Sequence, residues 1–350
     1  MKFRVFSDPH IGLNRTSHTT PLSKQLLKQA LVSQVDLILC TRPEDSVLCL
    51  GDLFDTHNVD NNSLLQGYSI YSECALVLFG NHDLSNRVDT ASSIEVIDWV
   101  NEHSVRINES KMNRPIADYT NLSDIGIWWI DHKLTQDIFE GALKDAYTRA
   151  NAGEVLLLHC NYESPFATQE STLNLTRELA EHLLTRFSYI LIGHEHMSRT
   201  DLDGRVRLVG NTHPTGFSDI SDKFAWDFTV EQGAITEITP YLIWSKDEGY
   251  LSIDWTDLSE LTSLSEKVQF VEIKGVADQQ HMPAIAAKVS SLWKLSDKLL
   301  MVRNNVAVTA SLEVNQATEL TRCQSIPERI TTELNGTHLA TLWADYLEAL

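Results

Sequence analysis

The feature that most constrains the fold of this 350-residue chain is an alternation of apolar, β-rich runs with stretches at helical spacing. The runs "KFRVFSD", "SVLCLGD", "ALVLFGNHD", "IGIWWID", "EVLLLH" and "YILIGHEH" read as strands, because aliphatic and aromatic residues dominate short segments. Between them, for example over residues 21 to 40, leucines recur at the intervals of an amphipathic helix. This pattern predicts an α/β fold.

Composition limits the class of protein further. Hydrophobic residues make up 43% of the chain, which is enough for a substantial core. No stretch approaches the roughly 20 apolar residues that cross a bilayer, and the N-terminus turns polar early, so we expect a cytoplasmic protein without membrane association. Five scattered cysteines without CxxC spacing argue against disulfides and thiolate zinc sites. The net charge of −20 disfavours nucleic-acid binding unless bound cations reverse it locally.

Polar residues of one chemical kind end five of the apolar strands. Glycine precedes several of them and allows the backbone to turn sharply. Ligands bind at the carboxyl ends of strands in open α/β sheets, so we expect these side chains to converge. The residues are Asp8 and His10, Asp52, Asn81 with His82 and Asp83, His159, and His194 with His196.

Carboxylates, an amide oxygen and several imidazoles form a mixed donor set that suits Mn²⁺, Fe²⁺ or Zn²⁺ better than Ca²⁺ or Mg²⁺ alone. Their number fits two metals that share one carboxylate, and such a pair can clamp an in-line displacement at phosphorus. The pattern therefore predicts a phosphoesterase. Histidines outside it are expected to be surface or packing residues, with His57 and His213 the least certain: His18, His57, His103, His132, His182, His213, His281 and His338.

In order and spacing, these five blocks resemble the calcineurin-like metallophosphoesterase superfamily over residues 1 to 245. The resemblance implies an α/β (α+β layered) fold in which two packed β-sheets are flanked by helices. It implies a catalytic His82 over the scissile phosphate, with Asp83 orienting its ring. It also implies that Asp52 bridges two metals, the first held by Asp8, His10 and His196 and the second by Asn81, His159 and His194.

Within that superfamily, "SDPHIGL", "GDLFDTHN", "GNHDL" and "LVGNTHPTGFSD" are similar to the SbcD-like nucleases of double-strand-break repair, including phage recombination endonuclease subunits. This likeness implies a manganese-preferring DNA exonuclease or endonuclease, in the host cytoplasm if the gene is phage-borne. Some members carry histidine where Asp55 stands, so Asp55 either touches substrate or caps a turn, and the turn is favoured. The candidates for substrate binding are Asp55, His213, Lys288 and Lys294.

The remaining hundred residues are similar to the same family's layout. Residues 246 to 312 read as a small β-α-β capping domain, with a basic stretch that either contacts DNA or is a solvated helix face. Residues 313 to 350 place an apolar stripe on one helix, which either docks on its own domain or binds a partner. By the resemblance, that partner is the coiled coil of an SbcC-like ATPase, in a complex that contains a homodimer of the nuclease.

Two other functions remain open from the sequence. A phosphatase or small-nucleotide phosphodiesterase of the same superfamily needs neither cap nor partner helix, and the acidic net charge favours it. A non-catalytic scaffold that keeps the metals as structure is a third possibility. The complete set of candidate ligands, together with His82, argues against the scaffold.

The C-terminal stripe yields a prediction that separates a nuclease subunit from a self-sufficient phosphatase. We expect a chain ending before Ile326 to remain a folded, Mn²⁺-dependent hydrolase that no longer associates with an SbcC-like ATPase, because buried aromatic anchors often contribute about 2 kcal/mol or more to an interface. Co-purification and hydrolysis assays measure the two properties. If the truncated chain unfolds, the helix belongs to the fold instead. The stripe comprises Leu339, Leu342, Trp343, Tyr346, Leu347 and Leu350.

Overall fold

A computed structural model describes residues 2–41, 46–85, 90–102, 113–122, 125–164 and 173–309 of the chain. Its first sheet contains β1 (Lys2–Phe6), β2 (Ser46–Cys49), β3 (Leu76–Val77), β12 (Lys223–Glu231) and β13 (Ala234–Trp244). Their order across the sheet is β13-β12-β1-β2-β3. Strands β1, β2 and β3 run parallel, and β12 and β13 add an antiparallel hairpin at the β1 edge.

The second sheet contains β4 (Asp118–Leu122), β5 (Ile125–Ile130), β6 (Val155–His159), β9 (Tyr189–Gly193), β10 (Arg199–Asp201) and β11 (Val206–Leu208). Their order is β10-β11-β9-β6-β5-β4. The four central strands are parallel, and the two edge strands are antiparallel to their neighbours. After β6 along the chain, β7 (Asn161–Tyr162) and β8 (Asn174–Leu175) form a separate two-stranded parallel sheet.

Four helices in the described ranges begin where the sequence supplies a capping side chain. Thr20 and Ser23 form a reciprocal capping box before Pro21, and the Asp60, Thr135 and Thr176 side chains each accept a backbone N–H at the start of a helix. The helices are α1 (Pro21–Cys40), α2 (Asn61–Glu73), α3 (Ser93–Glu102), α4 (Gln136–Arg149), α5 (Arg177–Leu183) and the single turn α6 (Lys246–Gly249).

Alternation along the strands builds a four-layer core. Leu48 of β2 and Leu157 of β6 share one buried cluster between the two sheets. Their sequence neighbours point the opposite way, since successive side chains of a strand face opposite sides. Cys49 packs with the helices α1 to α3, and Leu158 packs with α4 and α5. The predicted α/β fold with two packed sheets flanked by helices is therefore confirmed.

The predicted β-α-β unit is also present after β13. Its two strands are β15 (Phe270–Lys274) and β17 (Met301–Asn304), and its helix is α7 (Met282–Leu292). A further strand, β14 (Tyr250–Asp254), completes a three-stranded sheet in which all strands are parallel. Val271, Ile273, Leu292 and Val302 bury their side chains in a cluster of their own. A small hydrophobic core thus holds this unit together.

Two compact units make up the chain. The first comprises residues 1–275 and 283–306, and the second comprises residues 276–282 and 307–350. Within the second, β16 (Val276–Asp278) pairs in parallel with β18 (Ala307–Thr309). The predicted boundaries at residues 245 and 312 stay predictions, and the predicted terminal helix within 313–350 lies outside the described residues. Across the described ranges, no helix is long and apolar enough to span a membrane.

Candidate metal centre

The ends of strands from both sheets meet at one place. Asp8 follows β1, Asp52 follows β2, His159 ends β6 and His194 follows β9. The Asp8 N–H donates to Gly51 O at 3.1 Å, while the Asp8 carboxylate accepts the His194 N–H at 3.0 Å. One residue therefore ties the two sheets together at the rim where the candidate ligands lie.

The backbone at this rim is strained. Asp8, His10, Asp52 and His194 have φ values of 52°, 48°, 50° and 89°, in the left-handed region that residues with a Cβ rarely adopt. Such conformations cluster at functional sites, where the surrounding structure holds them. Gly51, with φ of 100°, is needed because a Cβ there would lie 2.5 Å from His159 Nδ1.

The first candidate ligand group contains Asp8, His10 and His196. Nδ1 of His196 lies 3.2 Å from Asp219 Oδ2, and Nδ1 of His10 lies 3.5 Å from Asp55 Oδ1. A carboxylate can only accept, so Nδ1 of His196 carries a ring proton and its Nε2 is turned toward His10. The two Nε2 atoms are 3.0 Å apart. Ring nitrogens this close share either a proton or a metal cation.

The second group contains Asp52, His159 and His194, with the Asn81 amide beside them. Nδ1 of His159 donates to Leu50 O at 2.7 Å, so its Nε2 is turned toward the other members of the group. That Nε2 lies 3.1 Å from Asn81 Oδ1 and 3.4 Å from Asp52 Oδ1. Nδ1 of His194 lies 2.8 Å from the same Asn81 oxygen. Two ring nitrogens and two oxygens therefore converge here.

These donor sets fit two divalent cations. Each contains carboxylate oxygen and imidazole nitrogen at spacings that suit a shared ion, and the other ring nitrogens of His196 and His159 are already engaged by an oxygen. Among the described residues, a third group of His10, Asp55 and His82 lies beside them. The residue-by-residue assignment of ligands stays a prediction.

Charges in the second group stabilise one another. Burial by itself would raise the pKa of Asp52, but the attraction of His159, and then of His10 and His82, outweighs it and holds this pKa below its usual range. Burial also opposes charge on His159, yet the Asp52 carboxylate raises the pKa of that imidazole above its ordinary value. The pKa of His194 falls to about 4, because burial and the neighbouring His159 disfavour a further positive charge.

His82 is placed at the open side of the centre. Its side chain is exposed, its ring lies 5.0 Å from the His10 ring, and its Nδ1 lies 2.6 Å from Asp55 O. A carbonyl accepts, so Nδ1 carries a proton and Nε2 is free to meet a ligand. The predicted contact with the scissile phosphate stays a prediction that this exposure permits.

The prediction that Asp83 orients the His82 ring is wrong. The Asp83 carboxylate instead accepts the N–H groups of Leu53, Phe54 and Gly80 at 2.9 to 3.2 Å. Burial and the nearby Asp52 charge raise its pKa to about 7. Asp83 therefore joins the segment after β2 to the segment after β3, and the Asp55 carbonyl takes the expected place against the His82 ring.

The structure shows what surrounds two of the four candidate substrate-binding residues, Asp55 and His213. Asp55 does not cap a turn with its side chain, since its carboxylate groups with His10 and His82. His213, which the sequence left open between packing and substrate contact, has its ring fully buried between Trp244 and Phe270, as in a packing position. Lys288, half-buried on α7, and Lys294, exposed beyond its end, stay predictions.

Sequence reasoning missed two residues of this site. The Asp219 carboxylate, in the segment before β12, lies 3.2 Å from Nδ1 of His196. No periodic pattern in the sequence identifies Asp219. His132 was expected on the surface or in packing, yet its ring centroid lies 6.5 Å from that of His159. Burial, and then repulsion by His159 and His194, lowers the pKa of His132 to about 3. The sequence contains a signal for His132, because "IGIWWIDH" is another apolar strand that ends in aspartate and histidine.

A layered α/β fold whose strand ends present two groups of histidines and acidic side chains defines a metal-dependent hydrolase. The chain belongs to the calcineurin-like phosphoesterase family, whose model matches residues 1–198. Proteins of this family use a dinuclear metal centre, and the two donor groups described above are the candidates for it here. No curated protein sequence matches the chain.

Several solved structures are similar to this chain. The calcineurin-like phosphoesterase YfkN from Bacillus subtilis has 11% identity and a TM-score of 0.37, and the match covers 69% of this chain and 90% of that one. A 5'-nucleotidase precursor from Thermus thermophilus has 12% identity and a TM-score of 0.39, covering 69% and 54%. A hypothetical protein from the same organism has 15% identity and a TM-score of 0.40, covering 69% and 98%. Similarity this distant carries no information on substrate.

The position of Asp52 generates a first prediction from the structure. We expect Asp52→Asn to lower turnover by roughly 10²-fold or more and to reduce bound metal, because charge neutralisation by this buried carboxylate is lost. The fold should survive, since an asparagine oxygen can still accept the His82 N–H that Asp52 Oδ1 accepts at 2.9 Å. Metal content by mass spectrometry and hydrolysis of a chromogenic phosphodiester are the measurements. The exposed Asp36→Asn is the control, and normal metal content and turnover in Asp52→Asn would contradict the assignment.

His82 separates catalysis from metal binding. We expect His82→Ala to keep the wild-type metal content while hydrolysis falls on the order of 10²-fold or more, as for a lost general acid. His57→Ala is the matched control, because His57 is also exposed and lies in the loop that follows the neighbouring strand β2. Metal loss on His82→Ala would place His82 among the ligands, with the group it forms with His10 and Asp55.

Proposed function

We propose that this metallophosphoesterase is a DNA nuclease that hydrolyses phosphodiester bonds with two metal ions, as a subunit of an SbcCD-like repair or recombination complex. The observation that supports this most is the wall beside the metal centre, which is formed by three segments. They are the loop after His10, the segment 210–219 and the β-α-β unit that follows β13.

Hydrogen bonds join these segments. Gln269, just before β15, has its side-chain oxygen 3.2 Å from His213 Nε2 and 2.6 Å from Trp244 Nε1. The Val302 N–H of β17 donates to His18 O at 3.0 Å. A small-molecule phosphatase needs no such extension of its site. A polymer that runs past the scissile bond does need surface on both sides of it.

Cationic side chains lie on this wall despite the acidic net charge. Arg15 Nε donates to Thr215 O at 3.0 Å. Burial by itself would raise the pKa of Asp55, but His10, then His82 and then the Arg15 charge lower it below its usual range. Arg303 stacks over the Phe217 ring at 4.5 Å, while its guanidinium also pairs with the Glu272 carboxylate. Phosphate contacts from arginine supply most of the affinity for a DNA backbone.

The residues of the chain have separable tasks in the proposed reaction. When bound, the two cations supply a nucleophile from water and neutralise charge on the phosphate. His82 lies at the open side with Nδ1–H held by the Asp55 carbonyl, so its Nε2 faces the substrate side, and as the doubly protonated imidazolium it can donate the Nε2 proton to the leaving oxygen and end as the neutral Nδ1–H ring. The Asp83 carboxylate fixes the backbone on both sides of this ring. The mixed nitrogen and oxygen donors support Mn²⁺ as the working metal, with Fe²⁺ or Zn²⁺ as alternatives.

The proposed partners follow from the sequence of the C-terminal segment. An SbcC-like ATPase would bind the apolar stripe within residues 313–350, and the nuclease would be a homodimer within that complex. The charge of −20 favours the rival function, a phosphatase or small-nucleotide phosphodiesterase, because an acidic surface repels DNA. Substrate comparison decides between the two functions.

The substrate test uses the full chain with Mn²⁺. We expect cleavage of end-labelled single- or double-stranded DNA, and much weaker hydrolysis of a chromogenic phosphomonoester and of a cyclic nucleotide. The opposite preference would favour the small-substrate function while leaving the metal centre intact.

Arg15 gives a sharper form of the same test. In a His82→Ala background that leaves DNA uncut, we expect Arg15→Gln to weaken DNA binding and to reduce the slope of log affinity against log salt by about 1, because one phosphate contact is lost. Arg177→Gln is the control, since Arg177 is exposed at the start of α5 and pairs with Asp201. An unchanged slope in Arg15→Gln would remove Arg15 from the DNA-binding surface.

A further inference from the structure

Asp219 is a buried carboxylate that no ligand assignment includes. It is 4% exposed and accepts five hydrogen bonds: from the Thr215 N–H and hydroxyl, the Gly216 N–H, the Asn211 amide and Nδ1 of His196, at 2.8 to 3.2 Å. Every partner can serve as a donor, and an ionised carboxylate is a pure acceptor with room for about four or more such bonds. The site around Asp219 is therefore built for the charged form.

The contact with His196 has a chemical consequence. Because the carboxylate carries no proton, the hydrogen bond exists only when His196 holds its proton on Nδ1. In the neutral ring the lone pair is then on Nε2, which lies 3.0 Å from Nε2 of His10. The other tautomer would present an N–H where the first ligand group needs a lone pair.

We infer that Asp219 is a positioning residue of the first metal site, which selects the Nδ1–H tautomer of His196 and aims its Nε2 at the metal. A carboxylate behind a metal-binding histidine fixes the tautomer and the ring orientation and makes the ligand more basic. The inference depends on the metal centre, and it is independent of whether the substrate is DNA.

A second contact holds the backbone of the same residue. Nζ of Lys223, which is 2% exposed, donates to His196 O at 3.1 Å, and the Asn211 N–H donates to that oxygen at 3.3 Å. Segment 211–223 thus fixes both the ring and the carbonyl of His196. Since Arg15 bonds to Thr215 in the same segment, the wall of the site and the first metal site share one scaffold.

A purely structural role for Asp219 would be to close the turn from Thr215, with the His196 contact incidental. The two roles differ in what the side chain does to the imidazole. Turn closure affects stability alone, whereas positioning affects the tautomer of His196 and the affinity of one metal site.

The test measures both properties on the full chain. With ¹⁵N-labelled histidine in the metal-free protein, long-range NMR correlations show which ring nitrogen of His196 is protonated. We expect Nδ1–H in the wild type, and a shift toward Nε2–H in Asp219→Leu. Calorimetric titration with Mn²⁺ alone should show one site weakened about 10- to 100-fold, as for other lost outer partners, and the other site retained.

Two further variants separate positioning from folding. Thr215→Val removes one donor to Asp219 without touching His196, so it should loosen the turn and leave tautomer and Mn²⁺ affinity unchanged. Asp219→Glu keeps the carboxylate and should restore part of the affinity. An Nε2–H tautomer of His196 in the wild-type protein would overturn the inference even if Asp219→Leu fails to fold. Equal loss of affinity in Thr215→Val and Asp219→Leu would overturn it as well.

Discussion

Convergence of imidazole nitrogens with carboxylate and amide oxygens at one rim is the constraint on which this structure depends. Two opposed sheets direct their strand ends to one rim, where Nε2 of His10 faces Nε2 of His196 and Nε2 of His159 faces the oxygens of Asn81 and Asp52. Like-charged or lone-pair-bearing atoms do not gather in a folded core without compensation. Cations supply that compensation, so the fold and the metal centre stabilise each other, and metal affinity contributes directly to the free energy of unfolding.

Holding the acceptors in place requires a second layer of hydrogen bonds behind the ligands themselves. Behind the first group stand two carboxylates, Asp55 and Asp219, and behind His159 stands a backbone carbonyl. Asp83 fixes the segments on either side of His82 through their N–H groups. The strained backbone at the rim persists because these bonds over-determine it.

Chemistry and substrate choice are supplied by different parts of the chain. The rim provides the cation sites and His82, and these suit any phosphate ester. In the proposed function, discrimination among phosphate esters rests on the wall beside the rim. There Arg15 donates a hydrogen bond to Thr215 O, and Gln269 connects the β-α-β unit to His213.

By itself the sequence determined the layered α/β architecture and the residues that gather at the rim, because apolar periodicity and strand-end polarity are local properties. The helix predicted over residues 21 to 40 is α1, and the strand that ends at His159 is β6. Only the tertiary structure decided what Asp55, Asp83, His132 and Asp219 do. A carboxylate or an imidazole looks the same in sequence whether it faces water or a partner, and the partner that decides its role is distant along the chain: His10 for Asp55, Leu53 and Phe54 for Asp83, His159 for His132 and His196 for Asp219. Only the folding of the chain brings these pairs together, and no local pattern encodes it.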